Sequence, residues 1–243
     1  MKSDYFKMRK LYIFLLLLFC VSMASADSYY SSIGLGTPHY FVSPKAVGMG
    51  GAGLSVVDPF SVNAQNPAAY NIGSITTVSV DMKYERIINK LDDASIDTRQ
   101  GNAAGFHFIV PLKPSFKLII GFQPLTDSRY VLSEEGETEH AAFSQKVSGS
   151  GGLNAAGLGL QYIVNKWIAV GGVLNFNFGS FNEKWKTEFY EAGYEEINDD
   201  LNSYMWGGGY QLGALIRPSG NLGIGATYSS KSDLQVETQK ELT

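Results

Sequence analysis

The residues able to do chemistry are few, and their spacing does not suit it. His39, His107 and His140 are separated by tens of residues, and neither G-x-S-x-G nor H-E-x-x-H occurs. Nucleophilic and zinc-hydrolase chemistry therefore lack their side-chain sets, and no catalytic residue, metal ligand or cofactor site is assigned. Only His107 falls in an alternating stretch, on the face of Gly105 and Ile109, where a lumen-lining polar residue is expected rather than a ligand or base. Two acidic clusters stand out, Glu134 to Glu139 and Glu188 to Asp200. Either could attract calcium or bridge to lipopolysaccharide, but neither has a fixed ligand spacing, and both read as solvated loop surface.

The densest motif is the segment from Ala46 to Tyr70, AVGMGGAGLSVVDPFSVNAQNPAAY. Gly48, Gly50 and Gly53 satisfy G-x-G-x-x-G, yet no strand precedes them and no helical period follows, so dinucleotide binding is discounted. Adjacent Gly50 and Gly51 permit positive φ and close backbone approach, and Asn66 before Pro67 favours an extended or turn conformation. The segment is expected to be a tight, folded-in loop.

What positions such a loop follows from the rest of the chain. Lys2, Lys7, Arg9 and Lys10 precede an apolar run from Leu11 to Val21, and Ala24-Ser25-Ala26 offers a small-x-small cleavage site. This is a secretory signal, about half the length of a membrane-spanning helix. Cys20 lies inside it without the small preceding residue of a lipoprotein signal, so the mature chain is expected to be cysteine-free. Cleavage after Ala26 removes four of 19 basic and one of 23 acidic residues, leaving 15 and 22, a net charge of −7. So acidic a chain does not suit nucleic acid.

No second unbroken apolar run follows, and mean hydropathy is only −0.05. Seven stretches instead alternate apolar and small or polar residues: 74–85, 102–110, 116–130, 142–164, 167–178, 204–217 and 221–230. In the fifth, Ile168, Val170, Leu174, Phe176 and Phe178 share one face, with Ala169, Gly171, Asn175 and Asn177 on the other. That period is a strand with one greasy face, the pattern of a transmembrane antiparallel β-barrel. Short links at 111–115, 164–167 and 217–221 alternate with long polar ones at about 86–101, 132–141 and 187–202, as periplasmic turns alternate with extracellular loops. Bacterial barrels close on even strand numbers, so seven strands imply an incomplete barrel. The alternative is an eight-stranded barrel with the 142–164 stretch split at Gly149-Ser150-Gly151-Gly152.

Gly48 to Gly53, Asp58 and Asn66-Pro67-Ala68 resemble the N-terminal region of the FadL/toluene-type outer-membrane transporter superfamily and related barrels of Bacteroidota-like bacteria. The weaker matches GSGGLN at 149–154 and GATYSS at 225–230 extend that resemblance over most of the mature chain. It implies that residues 27–72 form a luminal plug carrying Gly48, Gly50, Gly51, Gly53, Asp58, Asn66, Pro67 and Ala68, ahead of a barrel at 73–243. It further implies passive uptake of hydrophobic small molecules such as long-chain fatty acids or hydrocarbons, in an outer membrane shared with lipid and lipopolysaccharide. Some relatives instead serve as docking or shuttle parts of secretion and surface-assembly systems. Pro124 lies inside the third stretch, where it removes a ladder donor. By the same resemblance Gln123, Pro124 and Thr126 mark a lateral gate; otherwise Pro124 marks the outer rim, where the strand leaves the membrane.

Overall fold

The computed structural model describes residues 29–39, 43–58, 62–70, 73–91, 94–137, 142–190, 195–220 and 222–242. The expected signal peptide, 1–26, and His140 lie outside them. The chain forms a curled antiparallel sheet, a half-barrel, and no described helix is long and apolar enough to cross a membrane.

Among the described residues ten strands build it: β1 (Thr37–Pro38), β2 (Thr77–Leu91), β3 (Ala94–Lys113), β4 (Phe116–Pro124), β5 (Thr126–Glu137), β6 (Ala142–Ile163), β7 (Ile168–Phe189), β8 (Ile197–Ser219), β9 (Leu222–Ser229) and β10 (Asp233–Leu242). The expected seven survive as seven ribbons, because two of them are interrupted. β4 and β5 pair with successive parts of β6, with Leu125 between them. β9 and β10 likewise pair with successive parts of β8. The order across the sheet is β2, β3, β4 with β5, β6, β7, β8, then β9 with β10.

The alternation sets the two faces. Leu174 keeps 68 % of its surface exposed while its neighbour Val173 keeps 4 %. Outward rows, mostly apolar, run across the sheet: Phe116, Tyr162, Val170, Ala214 and Ala226 lie in one register row, and Pro124, Phe178 and Trp206, with the polar Asn154 among them, in a higher one. The inward positions are small or polar apart from residues such as Ile109, Ile119, Val173 and Leu215, and the N-terminal segment packs on them. Val62, Ala64 and Tyr70 form one cluster with Ile109, Ile119 and Val173, while Ala68 and Ala69 form another with Ala169 and Leu215.

Two expectations are corrected. The long polar loops at 86–101, 132–141 and 187–202 are mostly strand, since β2 runs to Leu91, β5 to Glu137 and β7 to Phe189, and their partners resume within a few residues. Outside the apolar rows neither face has to be greasy, so the hydrophobic period vanishes while the backbone ladder continues. The split at Gly149 to Gly152 does not occur: β6 is one strand of 22 residues. Gly151 and Gly152 sit at φ +140° and +156°, where any Cβ would meet the backbone of Ser180 and Thr126. They permit close approach of neighbouring strands rather than a turn.

Candidate functional site

The N-terminal segment is held by hydrogen bonds as well as by apolar burial. Ser43 caps a helical turn, α1 (Pro44–Gly48), its Oγ accepting from the Ala46 amide at 3.4 Å. This turn lies ahead of the glycine run, and Pro44 at its start favours it. Gly50 and Gly51 follow with φ of +69° and +86°, and their amides donate to Val47 and Ala46 carbonyls at 3.0 and 2.8 Å. Those carbonyls would otherwise be left over at the helix end. Gly48 closes the turn, Gly53 is buried against Ala46 and Gln65, and Asp58 is half-buried beyond Val57.

Asn66, fully buried, is the hub. Its Nδ2 donates to the Leu54 carbonyl at 2.7 Å and to the Ala214 carbonyl of β8 at 3.0 Å, while its Oδ1 accepts from the Ala68 amide at 2.9 Å. That last bond caps the 3-10 turn Pro67–Ala69. The wall reciprocates: Gln161 Nε2 donates to the Ala68 carbonyl at 2.7 Å, and Gln211 Nε2 and Thr227 Oγ1 both donate to the Gln65 carbonyl at 3.1 Å. Gly171 and Gly213 lie against Pro67 and Asn66, and Gly225 lies against Leu54, leaving no room for a Cβ. Asn66, Pro67 and Ala68 are thus brought together with wall residues that the sequence reading did not single out: Gln161, Gly171, Gln211, Gly213, Gly225 and Thr227. The only available signal was that they fall on the small or polar face of their strands.

His107 lies on the inner face, 2 % exposed, with its ring 6.1 Å from that of Tyr70. Together with Gln123, Asn175 and Gln211 they line a cavity of about 20 Å³, room for about one water. Among the described residues no group of three His, Cys, Asp or Glu could hold a metal ion.

Gln123, Pro124 and Thr126 sit where the sheet parts. β3 and β4 pair up to Phe106 and Phe122, and β3 then continues toward Ala94 with β2 alone. Above Pro124, β5 pairs with β6 and with β1, but not with β3. The strap 29–39 covers the base of this parting. Thr37 and Pro38 pair with Asp127 and Thr126, the His39 amide donates to the Leu125 carbonyl at 2.7 Å, and Ser128 Oγ donates to the Ser31 carbonyl at 2.8 Å. On the other side the Leu125 amide reaches the Leu153 carbonyl at 2.7 Å, and Thr126 Oγ1 accepts from the Leu153 amide at 3.0 Å. A cavity of about 690 Å³ opens beside it, with Asn102, Pro124, Arg129, Phe178 and Trp206 in its lining. Asn102 Nδ2 approaches Asp127 Oδ2 at 3.5 Å, and Arg129 Nε lies 3.3 Å from Asp127 Oδ1.

Beyond the apolar rows, β7 and β8 stay paired to Thr187 and Ile197. Lys184 reaches Asp200 at 3.2 Å, Lys186 reaches Glu196 at 3.1 Å, and Lys240 reaches Asp199 at 2.7 Å. The Glu196 carboxyl is held below its ordinary range by a hydrogen bond from Asn198 and then by Lys186. A depressed carboxylate stabilises above its unfolded value and loses that contribution as pH falls through its folded one. Protection factors at 184–190 and 195–198, the intrinsic exchange rate over the observed one at the same pH, should therefore fall as pH drops below the ordinary glutamate range, while those at 168–178 stay unchanged. The change should be small, because exposed pairs contribute little.

No curated protein and no solved structure matches the chain. One family model does, over residues 7–243, nearly the whole of the described sheet and the segment it carries. On that match the chain belongs to the BamG family.

Proposed function

We propose that this chain is an outer-membrane β-barrel protein that acts as a docking component of a surface-assembly system. The observation that carries the reading is the length of the outer ribbons. β7 and β8 have 22 and 23 residues, whereas a strand crosses a bilayer in about 9–11 tilted residues. The apolar outward positions of β7, Ile168 to Phe178, match that crossing length. About half of each strand then stands above the membrane as an ordered, paired ribbon rather than as a loop, offering a rigid surface to a partner. The segment 43–70 supports the same reading, because wall side chains bond its backbone directly and glycines seat it. The family name, read as that of a barrel-assembly component, agrees with a role in assembling other surface proteins.

The chemistry needed is recognition, not catalysis. Within the apolar rows the backbone groups of β4, β6, β7 and β8 are taken up on both sides by neighbouring strands, as lipid demands. Shortening the β7–β8 ribbon by removing 184–200 with a two-residue turn in its place should leave a folded, heat-modifiable barrel in the outer membrane. Surface display of other barrel proteins should fall several-fold. Unchanged surface display with a folded truncated barrel would sink the docking role.

Passive uptake of hydrophobic molecules is the second reading, favoured by the parting at Pro124 and the cavity beside it, and by the resemblance to fatty-acid transporters. Pro124 shares its row with Phe178 and Trp206, so an opening there would face the rim of the apolar band. In that reading the strap 29–39 would move, since it covers the parting, while the better-anchored 43–70 stays. Tying the strap to β5 by a disulfide between T37C and D127C should then abolish oleate uptake into cells. Uptake unaffected by a formed disulfide would remove this reading.

A further inference from the structure

We infer that the outer edge of β5, residues 131–137, facing the outer part of β3, is a strand-addition site for an extended polypeptide carrying alternating basic residues. The inference rests on the docking reading for its biological role and specifies the partner's chemistry.

Above Phe106 and Phe122 the two ribbons separate, and both stay in strand geometry, β3 with one bulge at Ala104. Ala94 to Gly105 pair on one side with β2, and Val131 to Glu137 pair on one side with β6. Among the described residues no strand takes the other side of either. A regular edge of this length is a template for another chain, and proteins ordinarily blunt such edges. Here the blunting stops partway. The strap demonstrates that the edge accepts a strand, since Thr37 and Pro38 pair antiparallel with its first two residues. Gly34 and Gly36, at φ +61° and +88°, then turn the chain away, and Ser31 rests against Ser128 and Arg129. Among the described residues the strap pairs with the edge no further than that point, and 131–137 take no strand on this side.

The edge also states a preference of charge. Glu134, Glu135 and Glu137 are exposed on it, and no described cation lies within ion-pair distance of them. Across β6 they face Gln145, Ser144 and Ala142. Main-chain hydrogen bonds would supply affinity, and alternating lysine or arginine side chains would supply selectivity.

The test uses the full folded chain in detergent and three synthetic peptides of about ten residues: alternating lysine and valine, alternating glutamate and valine, and the lysine peptide with proline at alternate positions. Amide exchange at 131–137 and 94–105 is followed with each. The lysine–valine peptide should slow exchange at both stretches by about tenfold or more, and the other two should not, because one repels and the other lacks the donors for a ladder. A triple variant E134K/E135K/E137K should transfer the protection to the glutamate–valine peptide. No protection with any peptide, or equal protection by the proline peptide, would overturn the inference. Failure of the docking role shows separately, as unchanged surface display when the β7–β8 ribbon is shortened.

Discussion

Valine at both Gly171 and Gly213 is expected to drive residues 62–70 off the inner wall while leaving the sheet intact. Each position has no space for a Cβ, and what blocks it is largely the backbone of Pro67 and Ala68 together with the side chain of Asn66. A flexible side-chain tip could yield, but a capped 3-10 turn cannot. Overpacking of this kind costs about 1–3 kcal/mol per site. The displaced turn would also forfeit the bonds from Gln161 to Ala68 and from Asn66 to Ala214, each about 1 kcal/mol. The two sites press on the same turn, so their effects will not simply add. Valine suits a strand, and the ladder between β7 and β8 should persist. Thermolysin should cut the double variant within 46–70 about a hundredfold faster than the parent, with heat-modifiable migration of the barrel retained. Equal cleavage rates would mean that the segment is not held where the glycines place it.

Asn66→Asp should be nearly as damaging, through charge rather than volume. The substituted carboxylate can still accept from Ala68, but it cannot donate to the Leu54 and Ala214 carbonyls and would face two oxygens in a fully buried site. Removing a donor and leaving acceptors unsatisfied costs about 1–3 kcal/mol, and more for an uncompensated charge. The sign is checked by pH. Burial against carbonyls raises the folded pKa of the introduced acid, so its penalty operates above the unfolded value of roughly 4 and fades as the acid protonates and regains a donor. Cleavage of N66D within 46–70 should be fast at pH 7 and should approach the parent rate near pH 4. Asn66→Ala, which loses the bonds without adding charge, should show an intermediate rate with no such recovery.

The strand faces could be read directly because burial acts residue by residue. Leu174 could be placed outward by alternation alone, and so could the outward rows of β2, β8 and β9, whereas Val173, as apolar as its neighbour, was not placed and is buried inward. The outer ribbons escaped that reading, because Lys184, Lys186 and Glu188 on β7 carry no apolar period for a strand held only by its ladder. The interruption at Leu125 was signalled by Pro124, whose missing donor ends the pairing with β3. The fate of the freed edge was not signalled, since nothing near Thr37 announces that it lies beside Asp127, ninety residues on. For the segment on the wall, Asn66-Pro67-Ala68 stood out as a motif, but its partners did not. Gln161, Gln211 and Thr227 are ordinary polar residues on the small face of their strands, and only the register of the sheet gathers them around one turn.

The central claim, that the apolar rows lie in an outer membrane with the ribbons outside the cell, is tested most directly by cysteine labelling in intact cells. Single variants Leu174→Cys, Lys184→Cys and Asn198→Cys would be expressed and treated with a membrane-impermeant maleimide. The account expects labelling at 184 and 198 before lysis and none at 174 until the membrane is dissolved. Protection of 184 and 198 in intact cells, with labelling only after lysis, would contradict it.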